Sequence, residues 1–248
     1  MVPRRARPAL LVLIAFGTAC QPAAAAPTAP PSVIALPATQ LSVTPRVSET
    51  ASPPTPTMGP APRTFTEGFD GGLSRWAFVQ ADNGTTAPDP YINSGLLRFD
   101  LTASNQWLYA IYDPQTYTDV RVDARVTNGS TDGAAGIVCR YDPNSGWYEL
   151  NIYPDQTYVL LFGQWLVPGV VRYTPIVHSQ SEKIQANQND IGLQCQGNIL
   201  TPFINGVRMR QRVENTYGLT RGKVGISAAS FQDAPTAILY DWVEVTQP

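Results

Sequence analysis

The sequence predicts an all-β fold, a two-sheet antiparallel β-sandwich, for residues 64–248. Short runs of β-branched and aromatic residues alternate with polar residues, and turn residues separate these runs at short intervals. Asn205-Gly206 is the strongest hairpin signal, because both residues tolerate a positive φ. No window shows a sustained helical period, and roughly a dozen short strands of this kind are typical of a sandwich or barrel.

The composition excludes several classes of function. Only 15% of the 248 residues are charged and the formal net charge is −2, so no nucleic-acid partner and no basic membrane-binding surface are expected. Hydrophobic residues make up 43% of the chain, which is ample for a core. We expect the protein to be a monomer.

Residues 1–20 have the pattern of an export signal. Arginines precede a short apolar run, Leu10–Phe16, which is far shorter than the ~20 apolar residues of a spanning helix. The run leads into Gly17-Thr18-Ala19-Cys20, which resembles a bacterial lipoprotein signal whose cysteine is lipidated. The resemblance implies a protein of the cell envelope or surface that touches the membrane through a lipid anchor at Cys20 only. Cleavage after one of the alanines at 23–26 is the alternative, and it would give a secreted protein.

Residues 21–63 are predicted to be a disordered tether. This segment consists mainly of Pro, Ala, Thr and Ser, with few charges and few large apolar residues. It cannot bury enough surface to offset the entropy lost on ordering. At ~3.1 Å per residue when extended, such a tether can hold a domain on the order of 100 Å from a membrane.

The strands of the predicted sandwich follow one another with short turns between them. The segment after Trp165, through His178 to Gln188, is instead predicted to be a loop that holds the only short helical turn. The predicted strands are Thr64–Phe69, Trp76–Gln80, Tyr91–Ile92, Leu96–Leu101, Trp107–Tyr112, Val120–Val126, Ile137–Tyr141, Trp147–Tyr153, Thr157–Trp165, Ile191–Cys195, Ile199–Ile204, Val207–Val213, Lys223–Phe231 and Ala237–Val245.

The hairpin from Ile137 to Tyr153 carries the candidate binding surface. Its alternation directs Tyr148, Leu150 and Ile152 into the core. The opposite face combines an aromatic ring, a carboxylate, an amide and a guanidinium, which suits a polar, ring-shaped ligand such as a sugar. The residues predicted to form this face are Arg140, Trp147, Glu149, Asn151 and Tyr153.

Two further tryptophans are candidates for stacking on a sugar ring. Trp107 shares a strand face with Tyr109, and Trp165 ends a strand. Sugar C–H faces pack on such rings. The alternative is that these aromatic residues belong to the core.

Cys139 and Cys195 each lie inside an apolar strand, apart from the predicted lipidation site. In an exported protein they are predicted to form a disulfide if their strands are neighbours or face each other across the core. In the chain-entropy model, a disulfide that closes a loop of this length stabilises the folded state by roughly 3–4 kcal/mol. Two buried thiols are the alternative.

The sequence offers little support for catalysis. His178 is the only histidine and has no nucleophile-elbow motif nearby, so neither a Ser-His-Asp site nor a histidine-rich zinc site is expected. Glycosidases that use two acids need a second carboxylate near the first. The strand positions on either side of Glu149 on the same face hold Trp147 and Asn151. A more distant partner, such as Asp123, stays open.

Carboxylates at the two ends of the domain suggest the one candidate cofactor, a structural Ca²⁺. Glu67 and Asp70 near the first strand could meet Asp241 and Glu244 near the last, if the terminal strands pair. Of these, Glu67 and Asp241 are the candidate ligands. The alternative is that they are solvated edge charges. No other cofactor is expected.

Five motifs follow one another in residues 64–247: Gly136-Ile137-Val138-Cys139-Arg140, Gly146-Trp147-Tyr148-Glu149, Asn205-Gly206, Gly222-Lys223-Val224-Gly225 and Tyr240-Asp241-Trp242-Val243-Glu244-Val245. With these motifs, residues 64–247 as a whole resemble the concanavalin-A-like (laminin-G-like) jelly-roll superfamily, and in particular its 3-keto-disaccharide-hydrolase-like branch. In that branch an Arg ends one central strand and a Tyr-Glu pair lies on the next, and Arg140, Tyr148 and Glu149 match these positions. Asn151 stands where the family often has Gln.

Three functions follow as hypotheses. The first is a non-catalytic module in which tryptophans stack on a glycan while Arg140, Glu149 and Asn151 bind its hydroxyl groups. The second, implied by the resemblance, is an enzyme acting on 3-keto-glycosides in which Glu149 and Arg140 are the catalytic residues. The third is a structural or protein-binding domain of the cell envelope.

Overall fold

The computed structural model describes residues 63–81, 85–128, 133–232 and 234–248. The predicted signal peptide, the lipidation site Cys20 and the predicted tether up to residue 62 lie outside the described residues. Among the residues in these ranges, none belongs to a helix long and apolar enough to cross a membrane.

The described ranges contain sixteen β-strands, and every strand pair is antiparallel. The strands are β1 (Phe65–Glu67), β2 (Trp76–Ala81), β3 (Tyr91–Asn93), β4 (Leu96–Leu101), β5 (Trp107–Tyr117), β6 (Val120–Asn128), β7 (Gly133–Asp142), β8 (Gly146–Ile152), β9 (Thr157–Val167), β10 (Val170–Gln180), β11 (Gln188–Gln196), β12 (Ile199–Ile204), β13 (Val207–Arg208), β14 (Arg212–Val213), β15 (Gly222–Ser230) and β16 (Thr236–Thr246).

Two sheets form the predicted sandwich. The nine-stranded sheet has the order β13-β12-β11-β6-β16-β4-β3, with β1 paired to β16 and β14 paired to β12. The seven-stranded sheet has the order β10-β9-β8-β7-β15-β5-β2. The first and last strands pair, with Glu67 opposite Val243.

The core lies between the inward faces of the two sheets. Val120, Val122, Ala124 and Val126 of β6 are completely buried, as their alternation predicts. Tyr148, Leu150 and Ile152 of β8 enter the same core from the other sheet. Each fully buried aliphatic side chain contributes about 1.5–3 kcal/mol to the hydrophobic free energy of folding. The alternation of apolar and polar residues therefore determines which face of each strand packs into the core.

A disulfide joins the two sheets across this core. Cys139 of β7, in the seven-stranded sheet, is bonded to Cys195 of β11, in the nine-stranded sheet, with their Cα atoms 6.7 Å apart. Both residues are completely buried. The prediction of a disulfide is therefore confirmed, and the alternative of two free thiols is excluded.

The segment after Trp165 differs from its prediction. It forms the edge strand β10 instead of a loop with a helical turn, and β10 pairs with β9 along its whole length. Pro175 obscured the alternation of this strand, because a proline usually argues against a strand. Here Pro175 lies on an edge strand at a register shift, where a missing backbone N–H is tolerated.

Candidate functional site

The outer face of the seven-stranded sheet is concave. Tyr173 of β10 stacks on Trp107 of β5 with ring centroids 5.0 Å apart, although five strand-to-strand steps separate these strands. At ~4.8 Å per step, a flat sheet would hold the two strands about 24 Å apart. The sheet therefore curls toward this face, and its edge strand β10 reaches over the middle of the sheet.

A buried carboxyl group lies at the centre of the concave face. Glu149 of β8 is completely buried, and Ser227 Oγ donates a hydrogen bond to its Oε1 over 2.6 Å. Its Oε2 accepts from Trp147 Nε1 at 2.9 Å and from the Tyr109 hydroxyl at 3.3 Å. The Asn151 amide lies beside the carboxyl, at a geometry outside that of a regular hydrogen bond.

Burial dominates the electrostatics of this group. Removal from water raises the pKa of Glu149, and the hydrogen bonds from Ser227, Trp147 and Tyr109 only partly oppose the rise. Burial and the neighbouring Glu149 also raise the pKa of Tyr109 well above its ordinary value. Gly136 provides the space for this cluster, because an added Cβ there would collide with Ser227 Oγ and the Asn151 amide. The cluster is thus a packed polar core around a carboxyl group whose pKa is raised by burial.

Aromatic side chains cover this cluster completely. The ring of Trp147 has no exposed area, and it contacts Tyr109, Tyr141, Trp165 and Tyr173. The Tyr173 hydroxyl lies 2.7 Å from that of Tyr109. The sequence predicted an exposed binding face around Trp147, Glu149 and Asn151, but the structure places all three in the interior. The reason is the curl of the sheet, which brings β10 over them.

Arg140 does not share a face with Glu149, contrary to the prediction. A register shift follows Cys139 in the pairing of β7 with β8, and Arg140 has a φ of 54°. This bulge directs its guanidinium to the other side of the sheet, where Nε and Nη2 donate to Thr118 O and Nη1 donates to Leu219 O. Only 2% of its surface is exposed. Arg140 thereby links the loop at Thr118 to the loop at Leu219 through hydrogen bonds.

Two open pockets flank the covered cluster on the concave side. The first, the Trp107 pocket, has a volume of about 460 Å³. Trp107 and Tyr173 are partly exposed in its wall, and Tyr153 faces them. The polar groups of its lining belong to Asp155, Thr157 and His178.

The second, the Trp165 pocket, has a volume of about 510 Å³. Trp165 and Tyr141 form its aromatic side, and the Trp165 indole N–H donates to the Tyr141 hydroxyl over 3.3 Å. Gln80 and Asn144 add amide groups, and the β9–β10 turn at Pro168 forms the rim.

The charge of the two pockets is low. Among the described residues, the lining of neither pocket includes a lysine or an arginine, and Asp155 is the only carboxylate. Burial raises the pKa of Tyr153 to about 12, so this hydroxyl stays protonated and can donate a hydrogen bond. The pockets can therefore hold an uncharged ligand that has both apolar faces and hydroxyl groups.

The calcium candidates lie on paired strands, and each has a protein partner. Glu67 Oε1 accepts a hydrogen bond from the backbone N–H of Phe69, and Asp241 Oδ2 lies 3.9 Å from Arg125 Nη1. Within the described part of the chain, no three His, Cys, Asp or Glu side chains come together as a metal-binding group.

Sequence reasoning missed the side chains that surround Glu149. Of these residues, Tyr109 could have been identified from the sequence, because the alternation of its strand places it on the same face as Trp107. Tyr173 could not be found, because its strand was predicted to be a loop. Ser227 lies on β15, opposite Gly136 of β7, and nothing in the local pattern distinguishes it from an ordinary strand serine.

No family model and no curated protein matches this chain, but many solved structures resemble it. A Bacillus licheniformis β-glucanase is 14% identical, with a TM-score of 0.51 over 75% of this chain and 98% of that one. A carbohydrate-binding module from Bacillus subtilis is 11% identical, with a TM-score of 0.50 over 69% of this chain and 96% of that one.

A third structure, of LamA from Zobellia galactanivorans in complex with laminaritriose and laminaritetraose, is 11% identical. Its TM-score is 0.53, over 74% of this chain and 98% of that one. At such identities the likeness shows the fold alone. The predicted fold class, a two-sheet antiparallel jelly-roll β-sandwich, is thereby confirmed.

Proposed function

We propose that this protein is a non-catalytic carbohydrate-binding module that holds a glycan on its concave face. The observation that carries this proposal is the pair of open pockets, in which Trp107 and Trp165 are partly exposed beside polar groups. Sugars present apolar C–H faces edged by hydroxyl groups, and an aromatic wall with amide, hydroxyl and carboxylate neighbours matches both features.

The solved structures of similar fold support a sugar ligand. One is named as a carbohydrate-binding module, and another contains laminaritriose and laminaritetraose. In our proposal the ligand of this chain lies in the two pockets and not at Glu149. The covered cluster serves as a rigid base that fixes the aromatic walls, since Tyr173 bonds to Tyr109 and stacks on Trp107.

The placement of the polar residues favours binding over catalysis. A glycosidase needs an acid that touches the substrate and a second carboxylate within about 5–10 Å of it. Glu149 is covered by aromatic rings and its described hydrogen-bond partners are hydroxyl and indole groups. Arg140, the other catalytic candidate, is bonded to backbone carbonyls on the opposite side of the sheet.

Removing either pocket tryptophan should weaken glycan binding. We expect Trp107→Ala and Trp165→Ala each to lower the affinity about tenfold, equivalent to about 1.4 kcal/mol, because each variant loses a stacking surface. A glycan array of neutral oligosaccharides with the wild type identifies the ligand, and calorimetric titration of that ligand measures the loss.

Trp242→Ala is the matched control, because Trp242 is partly exposed on β16 of the other sheet, where it contacts Arg125. Its affinity should equal that of the wild type. The proposal fails if the wild type binds no glycan on the array, or if Trp242→Ala weakens binding as much as the two pocket variants.

We also propose that the chain is lipid-anchored at Cys20 in the cell envelope, on the support of the signal pattern described above. In cell fractionation, the wild type should then sediment with membranes and Cys20→Ser should be recovered in the soluble fraction. Membrane recovery of Cys20→Ser would contradict the anchor without affecting the proposal for the pockets.

A further inference from the structure

The wall of the Trp165 pocket is mostly apolar. At the β9–β10 turn, Leu166 and Val167 have 48% and 56% of their surface exposed. Exposed aliphatic side chains of this size gain free energy when an apolar part of a ligand covers them. The apolar side chains of the wall are Val79, Pro143, Trp165, Leu166, Val167 and Pro168.

Two polar side chains of this pocket are already engaged by the protein. The Gln80 amide donates to Thr85 O over 2.8 Å and accepts from the backbone N–H of Ala87 over 3.1 Å. The Trp165 indole N–H donates to the Tyr141 hydroxyl. These hydrogen bonds therefore fix the shape of the wall before a ligand binds.

Among the described side chains of the lining, two polar groups remain available to a ligand, the Tyr141 hydroxyl and the Asn144 amide. Burial raises the pKa of Tyr141, so its hydroxyl keeps its proton and can donate it. Asn144 is exposed in the β7–β8 turn, and its side chain makes no hydrogen bond to a described residue. Its amide can both donate and accept. The pocket thus combines one hydroxyl donor and one amide with an apolar wall.

We propose that the Trp165 pocket binds the N-acetyl group of a 2-acetamido sugar such as N-acetylglucosamine. This inference rests on the proposed function and names the class of sugar. The methyl of the N-acetyl group packs against the apolar wall. Its C=O accepts from the Tyr141 hydroxyl, and its N–H donates to the Asn144 amide oxygen. The substituent is uncharged, and none of the described lining residues carries a charge.

A sugar without this substituent fits the Trp165 pocket less well. A hydroxyl group placed against Leu166 and Val167 would lose its hydrogen bonds to water without gaining a partner, which is unfavourable. The Trp107 pocket is different, because Asp155, Thr157 and His178 lie in its lining. That pocket suits the hydroxyl groups of the same glycan. An alkyl group would also cover the apolar wall, but it would leave the Asn144 amide unused.

The test compares chitotetraose with cellotetraose as probes of the full-length protein. The two oligosaccharides share their linkage and length, and they differ only in the acetamido group that replaces one hydroxyl group of each sugar. In calorimetric titrations we expect the wild type to bind chitotetraose about tenfold more tightly than cellotetraose. Asn144→Ala should lower the affinity for chitotetraose about fivefold, the effect of one lost hydrogen bond. Its affinity for cellotetraose should stay unchanged.

Two further variants are the controls. Asn93→Ala removes a matched exposed amide from β3 of the other sheet and should bind both probes like the wild type. Trp107→Ala should weaken the binding of both probes by the same factor, since it changes only the other pocket. Circular dichroism of each variant confirms that it is folded.

The outcomes separate this inference from the proposed function. Equal binding of the two probes by the wild type would overturn the inference and leave the proposed function intact. So would a glycan array whose ligands all lack an N-acetyl group, or an equal loss in Asn93→Ala and Asn144→Ala. Tighter binding of octyl glucoside than of chitotetraose would show that the pocket selects an alkyl group instead. A wild type that binds no glycan overturns the proposed function itself, and this inference with it.

Discussion

Replacing Cys139 and Cys195 by alanine should lower the free energy of unfolding by about 4 kcal/mol. The disulfide closes a loop with a sequence separation of 56 residues, and cross-linking a loop of this size removes about that much chain entropy from the unfolded state. The bond also joins a strand of each sheet, so its loss frees the two layers from each other. A denaturant titration with the linear extrapolation gives the change directly.

The chain offers a clean reference for this measurement. In a Cys20→Ser background, Cys139 and Cys195 are the only cysteines. Reduction of that protein should lower its stability to the level of the double alanine variant, and reduction of the variant should change nothing. A double variant within 1 kcal/mol of the oxidised protein would contradict the stabilising role of the bond.

Strand alternation was sufficient to predict an all-β sandwich or barrel, and the resemblance to jelly-roll proteins favoured the sandwich. Hydrophobic residues at every second position of β6 and β8 point into the core, and the Asn205-Gly206 turn follows from the residues that a tight hairpin requires. These signals are local, and each depends on only a few neighbouring residues. The disulfide was predictable for the same reason, because both cysteines lie on inward positions of buried strands.

The site was harder to predict because its form depends on long-range geometry. Alternation correctly assigns Glu149 to the outer face of its sheet, but it cannot show that β10 curls back to cover that face. Tyr173 comes from a strand whose proline hides the pattern. The side chain of Arg140 leaves its expected face at a bulge, where this residue has a positive φ. A positive φ is uncommon for a non-glycine residue, so the sequence does not indicate it.

Substitutions at Glu149 should separate the roles of its shape and its charge. We expect Glu149→Ala to destabilise the protein by about 3–5 kcal/mol, because it leaves buried donors of Ser227 and Trp147 without an acceptor and opens a cavity. Glu149→Gln should cost much less. Its amide oxygen can accept from Trp147, and its amide nitrogen can donate to Ser227 Oγ, which reverses the hydrogen bond that Ser227 makes to Glu149.

The pH dependence of the Gln variant tests the raised pKa of Glu149. When the pKa of an acid is higher in the folded than in the unfolded state, its stabilising contribution is complete below the unfolded value, about 4.3 for Glu. That contribution is lost as the pH rises toward the folded value. The wild type should therefore lose stability relative to Glu149→Gln as the pH increases above about 4.3.

Glu214 provides a control, because its contribution to stability should change with pH in the opposite direction. Burial alone would raise its pKa, but hydrogen bonds from the Tyr148 hydroxyl and from backbone N–H groups hold the pKa of Glu214 below its ordinary value. Its stabilising contribution is present above the ordinary pKa and is lost in acid. Glu214→Gln should therefore be most destabilising at neutral pH. Denaturant titrations at pH 4, 6 and 8 measure both trends, and parallel pH curves for wild type and Glu149→Gln would show that the buried carboxyl group titrates normally.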